Sequence, residues 1–419
     1  MLKRILTFIF ALSAVGLCQQ LELLSSVELP DSYVWGIDIK GNYAFLVSKN
    51  FYDDQPILRV FDISNPYSPY QIGTGDTTAY DRGEDIIIEK RGYAYIADNW
   101  SGLQIFNVVP PANPQPIAIF PTFQNAHSLF LDGNLLYMAN CSSGLYILDV
   151  SDPYEPTMIS QFRAGEILDL EAVYVVYPYA YLGSLNGIFA VLDVADPYNP
   201  VLLNFNGEYI NYAFCDVIVD GNYAYASEDY GGVGVFDLSD PAGPRSIGTI
   251  NDNGLSFKMF KYDNYLFVAS GPFLNVFDIS DPYSPEFVTR ASDSYYCEVH
   301  VDAGKIYAGG DNHFKIYSFS ITGIPDRGDS QAREFEIISN YPNPFNNKTT
   351  ISYRLSDDNF VRLTVYDLLG REAVQLVNKY QVPGEYSVPF DAGELASGIY
   401  FYKLQAGEFS EMRKMLLLK

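Results

Sequence analysis

Six side chains able to do chemistry fall at one point of a recurring sequence pattern. Seven hairpins each open on an equivalent residue pair: Trp35-Gly36, Glu84-Asp85, His127-Ser128, Glu171-Ala172, Cys215-Asp216, Phe257-Lys258 and Cys297-Glu298. His300 follows two residues further along its strand. Glu84, Asp85, His127, Glu171, Asp216 and Glu298 are therefore expected on one ring. Carboxylates crowded in this way repel, which raises their pKa values or draws in a cation. An oxygen-rich set of this kind suits Ca²⁺. A hydrated acidic rim that holds no ligand satisfies the same pattern, and His127 with Glu171 supplies the parts for acid–base catalysis.

Other signatures of catalysis are missing from the sequence. No nucleophile elbow, HExxH helix, Walker loop or dinucleotide fingerprint stands in context. GGVGVF (231–236) opens a strand, and no helix follows to hold a phosphate. His127, His300 and His313 lie on separate β segments with no neighbouring Ser-Asp pattern of a triad. Cys141, Cys215 and Cys297 show no CxxC spacing and make no disulfide framework. Three buried thiols are expected, with one disulfide plus a free thiol as the other arrangement. The Arg-Gly-Asp triplet at 327–329 reads as part of a polar connector.

The elements that must position the ring follow from an internal repeat. LRVFDISNPYSP (58–69) recurs as LQIFNVVPPANP, LYILDVSDPYEP, FAVLDVADPYNP, VGVFDLSDPAGP and LNVFDISDPYSP, ending in the degenerate FKIYSFSITG (314–323). Successive copies are 40 to 45 residues apart. An alternating hairpin precedes each copy, so one unit reads as four short antiparallel strands. Units of that size are propeller blades, and seven of them predict a seven-bladed β-propeller. The last copy lacks a fourth strand, and LELLSSVEL (21–29) reads as an orphan outer strand that pairs with it to close the ring. The Asp at the end of each phrase, followed by Asp-Pro or Asn-Pro, reads as turn chemistry rather than a calcium loop. Tyr93, Tyr95, Tyr223, Tyr225 and Tyr265 are expected mostly to pack blade against blade, leaving a few exposed aromatics to stack on sugars. The repeated L-x-V-F/L-D phrase resembles the LVIVD repeat of bacterial and archaeal surface proteins over about 300 residues. That resemblance implies the fold and surface exposure, not a chemistry.

Residues 1–19 have the form of a secretory signal peptide: Lys3 and Arg4, the apolar run Ile5 to Leu12, then small Ala14 and Gly16. Leu17 is bulky for a lipoprotein signal ending at Cys18. No later apolar run is long enough for a transmembrane segment. The net charge is −25, with hydrophobic content of 48%, which argues against nucleic-acid binding and against disorder. Residues 335–419 hold 10 acidic and 9 basic residues, so nearly all of that charge lies ahead of them.

After the propeller (20–322) and a linker (323–334), residues 335–419 alternate as short strands broken near glycines, which suits an Ig-like β-sandwich. YPNPFN (341–346), VYDLLGRE (365–372), LASGIYFYKL (395–404) and KMLLLK (414–419) resemble the type A sorting domain of the type IX secretion system. The residues that carry the resemblance are Pro342, Asn343, Pro344, Gly370, Gly398, Tyr400 and Lys419. It implies handling by the type IX machinery of a Gram-negative bacterium, and delivery to the outer-membrane surface or the medium. The chain is thus expected to be all-β, a seven-bladed propeller followed by an Ig-like sandwich. Its expected role is non-catalytic, a surface binding or scaffold protein for an extracellular protein or glycan. The alternative is a secreted carbohydrate-active enzyme with its active site at the channel mouth.

Overall fold

The computed structural model describes residues 20–418 except 51–55, 77–82, 123, 164, 166, 168, 206–212, 242, 321–334, 342, 344, 356–358, 368–370, 383, 394 and 407–408. The expected leader (1–19) and linker (323–334), and Pro342, Pro344, Gly370 and Lys419, lie outside the described residues. The described residues are all-β, with no α-helix, and no helix among them is long and apolar enough to cross a membrane. The chain forms two compact units, Met1–Pro325 and Asp326–Lys419.

The first unit holds five four-stranded antiparallel sheets and one six-stranded sheet. Alternating side chains and two short turn types generate each sheet. The first two strands meet at a tight turn: Asp220 pairs with Tyr223 across Gly221-Asn222, and Gly221 takes φ 59°, which favours glycine. Between the third and fourth strands an Asp side chain folds back on its own backbone. Asp237 Oδ1 accepts from Ser239 N at 2.9 Å, and Asp62, Asp149, Asp193 and Asp278 do the same. These carboxylates are engaged in turns, the usual local role of Asx residues.

The six-stranded sheet is built on two long strands, Gln20–Lys40 and Lys305–Ser320. Residues 20–28 pair antiparallel with 313–320, while 32–40 pair with 43–50. One segment near the N-terminus therefore belongs to the edge of the last repeat and the inner edge of the first. The innermost strands touch in a closed cycle. Gln20–Lys40 meets Gly83–Ile88, then follow Ser128–Asp132, Leu170–Val176, Phe214–Asp220, Met259–Tyr262 and Tyr296–Asp302, which returns to Gln20–Lys40. Apolar side chains fill the spaces between consecutive sheets. Phe189 stacks on Phe236 of the next repeat at 4.4 Å, and Tyr95, Tyr137 and Tyr225 are fully buried.

The second unit has a three-stranded sheet (Phe335–Tyr341, Lys348–Leu355, Gly384–Asp391) and a four-stranded sheet ordered Glu372–Gln381, Asn359–Asp367, Gly398–Ala406, Phe409–Leu417. One core joins them, with Ile351, Tyr353, Leu363, Val365, Leu404 and Met415 at its centre. Asn343 Oδ1 accepts from Leu416 N at 2.8 Å, and Phe345 exchanges backbone hydrogen bonds with Leu416 and Leu418. Asn343 and Phe345 thereby clamp the final strand. Tyr400 donates its hydroxyl to Ala396 O at 2.9 Å, tying the LASGIY turn shut.

Candidate functional site

A β-bulge decides where the ring of residue pairs points. The first strand slips register between Val34 and Gly36, and equivalent slips occur at Gly83/Asp85, Leu170/Ala172, Phe214/Asp216 and Tyr296/Glu298. Trp35, Glu84, Glu171, Cys215 and Cys297 are thus the extra residues of their bulges. A bulge re-aims the side chain it inserts. At these five positions the bulge divides the expected single ring; the strands after His127 and Phe257 show no slip. Asp85, Asp216 and Glu298 line a central cavity of about 320 Å³, whereas Glu84, His127 and Glu171 do not.

The cavity draws residues from all seven inner segments, including Asp38, Lys258 and His300. Lys258 Nζ stands 3.5 Å from Asp85 Oδ2. Burial works against the Lys258 ammonium, but Asp85, Asp216, Glu298 and Glu84 outweigh it and hold the group protonated well above the ordinary lysine range. Lys258 thus supplies inside the chain the positive charge that crowded carboxylates require.

The acidic side chains also tie neighbouring strands together. Asp38 Oδ2 accepts from Ile88 N at 2.6 Å, Asp85 Oδ2 from Leu129 N at 2.9 Å, and Asp216 Oδ2 from Met259 N at 2.8 Å. Each bond runs from one inner strand to the next inner segment. Two residues further along, the equivalent positions are Asp38, Ile87, Phe130, Tyr174, Ile218, Phe260 and His300, mostly apolar. This layer desolvates its two polar members. Burial pushes Asp38 up to about 7 against hydrogen bonds from Ile88 and Ile39, and pushes His300 down to about 4. The two groups face each other at 3.7 Å. Asp216 rises to about 6, chiefly by burial, with Lys258 opposing, and burial also raises Glu298 well above the carboxylate range.

These shifts give a signed pH dependence. A carboxyl raised in the folded state adds stability that is complete below its unfolded pKa and lost as pH climbs through the folded value. For Asp38 and Asp216 that window runs from about 4 to about 7. At ~1.4 kcal/mol per unit the combined effect is on the order of a few kcal/mol. His300, lowered to about 4, pulls the other way over the same window, so the Asp38 share is read by difference: relative to the intact chain, Asp38→Asn, a mimic of the protonated form, should gain melting temperature as pH rises from about 4 to about 7. An identical pH profile for the variant contradicts the assignment.

A second cluster lies away from the cavity. His127 Nδ1 is 3.1 Å from Glu171 Oε2, and the Cys141 thiol donates to Glu171 Oε1 at 3.7 Å. Burial, with Glu171, Asp169 and Glu84 adding to it, pushes the Cys141 thiol up to about 12. Glu84 is buried and accepts from Asn99 Nδ2 at 3.0 Å. Aromatic rings gather around the bulged Trp35: Tyr33 with Trp35 at 6.0 Å, Trp35 with Phe257 at 6.5 Å, and Phe257 with Tyr295 at 6.1 Å. None of the three described cysteines forms a disulfide; Cys297 is buried, whereas Cys141 and Cys215 are only partly so, short of the three buried thiols expected.

Sequence reasoning missed Asp38 and Cys141 as site residues and gave Lys258 no role. Asp38 had a signal, since it shares its offset with His300. Cys141 follows the second strand of its hairpin, outside the offset at which the repeats were compared.

Comparison with known proteins agrees with this architecture. The LVIVD repeat matches residues 31–77, 85–122, 124–163, 213–252 and 261–293, and the secretion system C-terminal sorting domain matches 339–418. The repeat over 170–205 is left unmatched although it has the same four strands. Its hairpin turns at Tyr177-Pro178 instead of a Gly turn. No curated protein matches the chain. Among solved structures, the WD40 beta propeller domain of Doa1 is similar at 10% identity and a TM-score of 0.58, covering 72% of this chain and 97% of that one. The computationally designed Ika8 protein is similar at 10% identity and a TM-score of 0.51, covering 71% and 99%. At such identity the likeness concerns the fold alone. This chain is an LVIVD-repeat β-propeller carrying a secretion system C-terminal sorting domain.

Proposed function

We propose that the chain is a non-catalytic binding protein, delivered by the type IX system and presented at the cell surface or released. In this reading residues 1–19 are a signal peptide, 20–322 a seven-bladed propeller, 323–334 a linker, and 335–419 an Ig-like sorting sandwich. The closed cycle of inner strands supports the blade number. The two packed sheets around one core support the sandwich.

The observation that carries the non-catalytic reading is the state of the channel. Asp38, Asp85 and Asp216 are bonded to neighbouring strands and Lys258 stands against Asp85, so the central cavity uses its charges to hold the ring together. An extracellular protein or glycan would instead meet the aromatic group of Tyr33, Trp35, Phe257 and Tyr295, rings of a kind that stack on sugars. The 3.1 Å contact of His127 with Glu171 favours the second reading, a carbohydrate-active enzyme with His127 as the acid–base group. Incubating the purified chain with a panel of polysaccharides separates the two. The binding reading expects no new reducing ends from any of them. Product release that disappears in His127→Ala would overturn it.

A further inference from the structure

The geometry points to a divalent metal site of the Zn²⁺ class formed by His127, Cys141 and Glu171. This site stands apart from the cavity, and its case does not depend on what the propeller binds. One ligand atom from each residue lies within 4.8 Å of the other two. Bonds of about 2.0–2.3 Å to N, O and S in a tetrahedron set ligand atoms about 3.3–3.8 Å apart. The observed 3.1 Å for His127 Nδ1 to Glu171 Oε2 and 3.7 Å for Cys141 Sγ to Glu171 Oε1 are close to those edges. The two distances run to the two oxygens of one carboxylate, and seating an ion draws the three donors from within 4.8 Å of one another to those edges.

The donors come from two repeats, and backbone contacts fix their separation. Cys141 and Leu170 exchange N–H···O bonds at 3.0 Å in both directions, bridging the two repeats beside Glu171. Cys141 holds φ 39°, in the left-handed region. His127 N donates to Ala139 O at 3.0 Å, which sets the imidazole against the end of the same hairpin. Asn140, with its amide nitrogen turned toward the preceding loop, donates to Gln124 O at 2.7 Å and Asn125 O at 3.1 Å. The imidazole–thiolate–carboxylate set is borderline-soft and selects Zn²⁺ over the Ca²⁺ that an all-carboxylate ring would favour. His127 and Glu171 side chains are 13% and 14% exposed, so one side is open to a water or to an oxygen of a bound ligand.

The test is equilibrium dialysis of the full chain against Zn²⁺, with Co²⁺ as an optical probe. The expected result is one metal per chain and a thiolate-to-cobalt charge-transfer band. Cys141→Ser should abolish that band, and either Cys141→Ser or His127→Ala should weaken Zn²⁺ binding by at least about 100-fold, while an unchanged far-ultraviolet spectrum shows the fold intact. Cys215→Ser, which alters a thiol outside the trio, should leave the band in place. Absence of stoichiometric Zn²⁺ and Co²⁺ uptake at submillimolar metal overturns the assignment. So does uptake that survives both Cys141→Ser and His127→Ala.

Discussion

Deletion of residues 21–29 should leave the propeller without a cooperative thermal transition. The segment pairs with the last repeat across 313–320, and its end supplies buried Leu29 to a core shared with Val34, Ile37, Phe61 and Phe314. Its removal strips one full edge of hydrogen bonds and exposes Phe314 and Ile316, both fully buried in the intact ring. Ladder bonds contribute about 0.5–1.5 kcal/mol each, and a buried leucine about 1.5–3 kcal/mol. Seven lost pairs plus Leu29 rival a typical total stability of about 5–15 kcal/mol. The uncovered strand would also be a template for self-association. Circular dichroism melts of the deleted and intact chains measure the effect. A synthetic 20–29 peptide added in trans should restore part of the transition by strand addition. An unchanged melting temperature after deletion removes the closure account.

Lys258→Met is the second large effect expected. Removing one partner of a buried charge set leaves the others uncompensated, at a cost of about 3–5 kcal/mol. For a domain of this size that lowers the melting temperature by roughly 10 °C. The sign with pH follows from the partners. Without the ammonium, Asp216 and Glu298 lose their lowering influence, so their folded pKa values rise further. Stability from a raised carboxyl is present at low pH and lost as pH climbs. The deficit of the variant should therefore be smaller near pH 4, where the raised Asp216 and Glu298 carboxyls are largely protonated in the folded chain, and larger by pH 8. Equal melting temperatures at pH 8 would mean that Lys258 does not neutralise the channel.

Much of the scaffold is readable in the residues because local and global signals coincide. Alternation, Gly or Asp at the tight turns, and the Asp-x-x-Asp-Pro turns recur at the blade period, and each has a mechanism visible in the structure. Over 170–205, which the LVIVD match leaves out, the FAVLDVADPYNP phrase and the alternation still accompany the same four strands. The site was less legible. A register slip leaves no residue signature, so pairs such as Glu84-Asp85 and Cys215-Asp216 look like one ring and are separated by the bulge. Glu84 therefore bonds to Asn99 while its neighbour Asp85 reaches Leu129 and Lys258. Cys141 meets Glu171 only through contact between repeats, which a comparison within hairpins does not reach.

The acidity and the tail have separate roles in this account. The charged ring belongs to the passenger, while the nearly neutral second unit carries the Asn343 and Phe345 clamp on its last strand. Export through that unit is the central claim, and cell fractionation of the producing bacterium tests it most directly. Full-length protein should be found at the cell surface or in the medium, and a chain ending at residue 334 should be retained in the periplasm. Surface delivery of the truncated chain at the full-length level would contradict the account.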